Sequence, residues 1–369
     1  MKKMLFITVF PPNRKTAGQN YSKELLTTLV NHFEVDLISF SYLNHKIDIN
    51  HKINVIKIYN SSKLSKLIGW LQIPIVHPIF ASRFRIDILL YLLKNEKKYN
   101  SIYFDFSQVF IYSFFLKNKN KIMMCHDVIF QKMKRTKWFI FNPFNLLLYI
   151  TEKKLLEKAD VILTFSEKDQ GLLKKFYNLK ASVVNFYIDE KIKQLRYDEI
   201  IIEHKFCFFG AWNRIENLEG LTWFMENVFP FLNQNIKFEI IGPGLHNTFL
   251  NKYKIAHRVK YVGFIENPYL NIAQSLALIA PIFQGAGVKV KVIESLATGT
   301  TILGTEIAFE GINDLGDGSM LLCNTSNDYI KKINSYPLNI VLSKIKTKSL
   351  FERSYSTANF SEIIKEINL

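Results

Sequence analysis

Residues Pro281 to Gly299 read PIFQGAGVKVKVIESLATG. An apolar strand pattern ends at Pro281, Gly285 and Gly287 flank Ala286, and a helical pattern then runs to Gly299. Glycines at such a turn let an anion approach the backbone, and a helix start offers unpaired N–H groups at its positive dipole end. Lys289 and Lys291 stand in the first helical turn, where the dipole favours acids. A bound diphosphate would offset that clash. Two plainer readings stand beside this one. Gly-x-Gly shapes many ordinary turns, and Lys291 with Glu294, three residues apart, would make a surface ion pair.

Outward from this segment, short apolar runs alternate with helical patterns. The strand candidates are Met4–Phe10, Val35–Phe40, Val55–Tyr59, Ser101–Phe106, Ile122–Cys125, Val161–Phe165 and Val183–Phe186. A second series holds Phe206–Gly210, Lys237–Ile241, Val259–Val262, Ala277–Ala280, Thr301–Leu303 and Met320–Cys323. Between strands, Tyr21–Phe33 places Leu25, Leu26, Leu29, Val30 and Phe33 on one helical face. Continuously apolar strands alternating with helices predict parallel sheets covered on both faces. The polar stretch Tyr187–His204 separates the two series as a linker. The expected fold class is α/β: two tandem, Rossmann-like, doubly wound domains, 1–190 and 191–349, with a final helix at about 350–369 packing back on the first. Ligands of such sheets bind beyond the carboxyl ends of the strands, which would put a site in the cleft between the two.

Other strand ends of the second series are marked too. In Phe208–Pro230 (FFGAWNRIENLEGLTWFMENVFP) a strand ends in Gly210, and a polar loop carries Arg214 and Asn217 before a helix. Arg214 could hold a phosphate with its planar fork or pair with Glu216 or Glu219. Asn217 could be the helix N-cap. Gly242-Pro243-Gly244 and Gly263-Phe264-Ile265-Glu266-Asn267 end two further strands. Each alone marks a turn, whereas four marked strand ends in one domain converge on a ligand.

These residues carry a resemblance. The run F-x-G-x-x-x-x-x-E-N-x-x-G-x-x-W-F-x-x-x-V-x-P from Phe208, the I-I-G-x-G ending at Gly244, V-G-F-I-E-N at Val262–Asn267 and G-A-G-V-K-V-K-V-I-E-S-L-A-T-G from Gly285 look like the carboxy-terminal domain of retaining nucleotide-sugar glycosyltransferases of family 4, the GT-B fold. The match covers roughly Phe206 to Ile312. It implies that Gly285, Gly287, Lys289 and Lys291, with Arg214 as a weaker addition, hold a donor diphosphate. It also implies that Glu294 accepts hydrogen bonds from the ribose hydroxyls. Many members carry a second glutamate, eight residues earlier, on the donor sugar. Here that position is Ala286, and backbone amides of the Gly285–Val288 loop would replace it.

Two amino-terminal features fit the same family. Pro11–Gly18 follows the first strand like the family's phosphate and acceptor loop, although Gly18 is its single glycine. Cys125-His126-Asp127 ends a strand, and by resemblance His126 would orient the donor sugar or the acceptor hydroxyl; the alternative is a histidine that merely caps the strand end. Ser166 resembles the family's strand-end serine and equally reads as an N-cap, with Asp169 as the acid three residues on.

The chain has 369 residues, 48% of them hydrophobic, with a mean hydropathy of +0.04. That excludes a disordered or low-complexity chain. Met1–Glu190 holds 29 Lys+Arg and 15 Asp+Glu, and Lys191–Leu369 holds 19 and 17, so the amino-terminal half carries +14 of the +16 net charge. A basic half suits an anionic partner: nucleic acid, for which no binding motif is present, or an acidic membrane surface. Gln131–Trp138 and Trp70–Arg85 mix cations with aromatics, as an anionic interface or as a solvated face beside core rings. Cys125, Cys207 and Cys323 are scattered among apolar residues and read as reduced thiols. Met4–Phe10 reads as a buried strand, not a secretory leader, and Trp138–Ile150 falls short of a bilayer span.

The sequence therefore predicts a cytoplasmic enzyme, peripheral on the inner membrane face. It would move a sugar from a nucleotide-diphosphate sugar to a hydroxyl of a glycan or lipid-linked acceptor, with retention, in surface polysaccharide synthesis. No D-x-D triplet occurs, so neither a metal nor another cofactor is expected on the diphosphate. The alternatives are a catalytically degenerate GT-B partner subunit and a nucleotide-sugar epimerase.

Overall fold

The computed structural model describes residues 1–13, 17–41, 51–117, 120–135, 144–186, 188–196, 200–253, 257–355 and 363–364. The chain divides into two compact units, Met1–Tyr187 with Ala358–Leu369, and Ile188–Thr357.

The first unit is a parallel sheet of seven strands: β1 Lys2–Thr8, β2 Phe33–Ser41, β3 Asn54–Asn60, β4 Ser101–Asp105, β5 Lys121–Cys125, β6 Val161–Thr164 and β7 Ser182–Val183. Their order is β3-β2-β1-β4-β5-β6-β7, so the winding reverses between β1 and β4. The second unit has six parallel strands: β8 Lys205–Phe209, β9 Lys237–Ile241, β10 Val259–Gly263, β11 Ala277–Ala280, β12 Thr301–Gly304 and β13 Met320–Leu322. Their order, β10-β9-β8-β11-β12-β13, reverses between β8 and β11.

The apolar runs become strands because both faces are covered. On one face of the first sheet Leu5, Ile7, Ile38, Ile102, Phe104, Met123 and Cys125 share one core. On the other face Phe6 stacks on Tyr103 at 4.9 Å. In the second unit Phe206, Phe208, Phe224 and Phe238 pack together. Each such burial contributes about 1.5–3 kcal/mol. The three cysteines are free and buried, and burial pushes Cys207 up to about 11 and Cys323 to about 12, which leaves them poor nucleophiles.

Most strand boundaries shift by one to three residues from the sequence expectation, and three boundary differences have a visible cause. The first helix spans Ala17–Leu29, because Asn31 and His32 close it with turn hydrogen bonds to Thr28 and Leu29. Phe33, which continued the helical period, pairs with Lys2 as the first residue of β2. Phe106 leaves β4 with φ of +72°. The expected linker contains the short Glu190–Lys193 helix, and 187 and 197–199 lie outside the described residues. So do 136–143 and most of the expected carboxy-terminal helix.

Candidate functional site

In the second unit the strand ends on either side of the winding reversal come together. Gly210 N donates to the Ile241 carbonyl, and Gly242 N donates to the Gly263 carbonyl at 2.7 Å. Gly242 sits at φ +114°, and a Cβ there would lie 2.0 Å from the Gly210 carbonyl oxygen. Only glycine fits that turn. Gly263 lies at φ +77° with open space around it. Beside these turns a Cβ on Gly210 would meet Asn217 Nδ2 at 2.9 Å and Lys291 Nζ at 3.4 Å. The absent side chain thus leaves room for two polar groups.

Lys291 Nζ donates to Asn217 Oδ1 at 2.7 Å, and Asn217 Nδ2 donates to the Ala211 carbonyl at 2.9 Å. Asn217 is not the N-cap; the Ile215–Asn227 helix begins after Arg214, with no side chain capping it. The amide instead holds an ammonium brought from 74 residues away. Withdrawal from water pushes the Lys291 pKa down to about 8. Glu216 opposes that shift, and Lys289 and Arg214 reinforce it. Lys291 and Glu294 are therefore not paired with each other: Glu294 Oε1 accepts from Tyr269 Oη at 3.0 Å. Burial pushes Glu294 up to about 7, and the nearby Asp189 adds to the rise.

The glycine loop spans the gap between β11 and the Val290–Ala297 helix. Gly285 and Gly287 both have positive φ, +112° and +71°. No side chain caps that helix and no acid stands in its first turn. Lys289 folds back on the loop, donating to the Gly287 carbonyl at 2.7 Å. Its charge reaches Lys291 while its ammonium fastens the loop, with Ala286 and Val288 half-buried beside it. Arg214 is mostly exposed, 3.7 Å from Glu216, as in the ion-pair reading.

In the first unit a second polar cluster stands at the other winding reversal. His126, just past β5, places Nε2 2.7 Å from Asp105 Oδ1 at the end of β4. Asp105 is wholly buried, and its Oδ2 accepts from Thr8 Oγ1 at 2.8 Å and Ser22 Oγ at 2.6 Å. A carboxylate only accepts, so Nε2 is the nitrogen that carries the proton toward Asp105. The His126 ring stacks on Phe106 at 3.8 Å with 9° between planes, and Tyr21 and Phe165 meet it edge-on. His126 is thus gripped on several sides, beyond what a strand cap requires. The left-handed backbone at Phe106 costs on the order of 1 kcal/mol for a non-glycine residue.

This cluster explains Gly18. A Cβ there would lie 2.9 Å from Phe106 Cζ. Gly18→Ala is expected to displace the Phe106 ring from His126 and to destabilise the chain by about 1–2 kcal/mol, read by denaturant unfolding. Unchanged stability would show that the ring yields freely. Residues 14–16 of the Pro11–Gly18 loop lie outside the described residues. Ser166 is an N-cap: its Oγ accepts from Asp169 N at 3.1 Å.

Asp105, Phe106, Ser22 and Tyr269 were not found by sequence reasoning. A lone acid closing an apolar strand, Ile102-Tyr103-Phe104-Asp105, was the available signal. Of the Trp70–Arg85 stretch, Phe80, Phe84 and Arg83 are buried. Gln131–Trp138 is described only to Arg135, with Lys132 paired to Asp127 at 3.2 Å.

Residues 203–336, which contain the Lys291 pocket, match the glycosyl transferases group 1 family. The second unit thus carries a glycosyl transferases group 1 domain, and the chain has the GT-B fold. The chain is 24% identical over 305 residues to an uncharacterized 44.6 kDa protein in the cps region of Klebsiella pneumoniae, covering 74% of this chain and 76% of that one. Among solved structures it resembles sucrose-phosphate synthase of Thermosynechococcus elongatus, with TM-score 0.68 at 14% identity, over 100% of this chain and 98% of that one. It also resembles Anabaena Alr3699/HepE in complex with UDP and glucose, with TM-score 0.68 at 11% identity, over 99% of each chain. The lipopolysaccharide outer core galactosyltransferase WaaB gives TM-score 0.66 at 15% identity, over 99% of each chain. At these identities the solved structures establish the fold.

Among the described residues, no helix is long and apolar enough to cross a membrane.

Proposed function

We propose that the chain is a glycosyltransferase that moves a sugar from a nucleotide-diphosphate sugar to a hydroxyl of a glycan or lipid-linked acceptor, with retention and without a metal, in surface polysaccharide synthesis. The observation that carries this reading is the Lys291 ammonium, held by Asn217 against the Gly210 turn and next to the uncapped Val290–Ala297 helix. As the glycosidic bond breaks, negative charge gathers on the departing diphosphate. Fixed positive groups aimed at that charge stabilise the transition state without reorganising. Lys291, the loop amides of Gly285–Val288 and the helix dipole supply them. Lys289 adds charge and fastens the loop, and exposed Arg214 adds little. Glu294, held by Tyr269, takes the ribose hydroxyls. In the other unit His126, fixed by Asp105, orients the reacting sugar or hydroxyl.

The acceptor class draws on the cps-region relative and on the basic amino-terminal half, which suits an anionic membrane surface. Alr3699/HepE, solved with UDP and with UDP-glucose, makes uridine nucleotides the first to screen.

A ligand held only by the folded chain stabilises it by mass action, by about 2.7 kcal/mol at roughly a hundred times Kd. The glycosyltransferase is expected to melt several degrees higher with a nucleoside diphosphate or nucleotide sugar, and Lys291→Ala is expected to abolish the rise. If no nucleotide or nucleotide sugar changed the melting temperature, the donor-site reading would be wrong.

A further inference from the structure

The Lys63–Gln72 helix in the first unit is inside out. Leu64, Leu67, Ile68 and Leu71 recur at i, i+3, i+4 and i+7, the spacing of a stripe that a globular protein turns inward. Here these four, with Ile75 in the turn beyond, are between 44% and 80% exposed. The helix packs through its other side. A Cβ on Gly69 would lie 2.7 Å from the Ala81 carbonyl oxygen and 2.9 Å from that of Phe84, so the helix backbone rests directly on the next segment. Ser62 and Ser65 close its start with a reciprocal capping box. The outward stripe is therefore fixed in place. A contiguous apolar stripe on a surface marks a place where something else docks.

The charge around the stripe selects the occupant. From Ile49 to Ile86 the sequence contains no Asp or Glu, against four lysines and two arginines. Of these, Arg83 is buried, Lys57 and Arg85 pair with Asp87 just past that stretch, and Lys52 and Lys63 are exposed. An apolar stripe on a helix that carries two lysines and no acid, in the half of the chain with a net charge of +14, is complementary to an anionic bilayer: the leucines enter the acyl boundary and the ammonium groups meet the headgroups. A second copy of the chain would bring the same cations against one another. We infer that the Lys63–Gln72 helix, with Ile75, is the element that seats this glycosyltransferase on an anionic lipid surface. The inference rests on the lipid-side acceptor proposed above for its purpose, and stands on the outward stripe for its location.

The test is co-sedimentation of the full chain with vesicles of phosphatidylglycerol and phosphatidylcholine, compared with vesicles of phosphatidylcholine alone. The wild type is expected to bind the anionic vesicles and to lose part of that binding in high salt. Leu67→Asp with Leu71→Asp is expected to weaken partitioning at least about tenfold. Both positions are exposed, so melting temperature and nucleotide-induced stabilisation are expected to stay as in the wild type. Vesicle binding that survives the double substitution would overturn the inference. So would a wild-type dimer in solution that the substitutions make monomeric, with no vesicle binding. Absence of vesicle binding with intact nucleotide stabilisation would remove the membrane face and leave the donor-site reading standing.

Discussion

Lys291→Ala is expected to lower kcat/KM for sugar transfer by about 10²–10³-fold, the loss seen when one fixed stabiliser of a developing negative charge is removed. The residue is well suited to such an effect. Its ammonium is tethered to Asn217, and burial has already lowered its pKa to about 8, so the cost of withdrawing it from water is met in the fold. The pH dependence follows with a definite sign. Below about 8 the free lysine is charged. An arriving diphosphate favours the charged form, so above about 8 binding must take up a proton, and Kd rises by up to about tenfold per pH unit. Glu294, raised to about 7, acts from the other side. Ribose hydroxyls donate to its carboxylate form, so affinity also falls as pH drops below about 7. Donor affinity measured by calorimetry is therefore expected to peak between about 7 and 8. A Lys291→Ala protein that keeps full activity, or a Kd flat from pH 6 to 9, would contradict this assignment.

Asp105→Asn is expected to lower kcat by about 10²-fold while leaving nucleotide-induced stabilisation intact. The side chain keeps its size. Its oxygen can still accept from Thr8 and Ser22, but its amide then faces His126 Nε2 with a donor where the carboxylate accepted. The Nε2 proton then has no acceptor there, and the ring loses the contact that fixes its orientation. A purely structural role would lower the melting temperature without separating kcat from donor binding. Undiminished kcat in a stable Asp105→Asn protein would show that His126 does not orient the reacting groups.

The strands were legible in the sequence because parallel strands buried on both faces are continuous apolar runs, and every run foreseen holds a strand. Boundaries were less so. Phe33 satisfies the helical period as well as the strand that it joins, and only its pairing with Lys2 decides. The glycine loop and lysines of the candidate site were legible because they lie within one short segment. What that segment could not show is direction: Lys289 turns back on Gly287, and Lys291 reaches Asn217 on another helix instead of Glu294 on its own. The Asp105 cluster was hidden for a related reason. Thr8 and Asp105 are 97 residues apart, and nothing local to either announces the other.

A side chain on Gly242 would enter the Gly210 backbone, whereas one on Gly210 would meet the side chains of Asn217 and Lys291. A lineage leaving Gly242 would have to remodel both loops at once, while one leaving Gly210 would first have to move the Asn217 amide. Evolutionary novelty in this half of the molecule accordingly has its easiest outlet at solvent-facing neighbours such as Phe264 and Phe283, where a new side chain displaces no backbone.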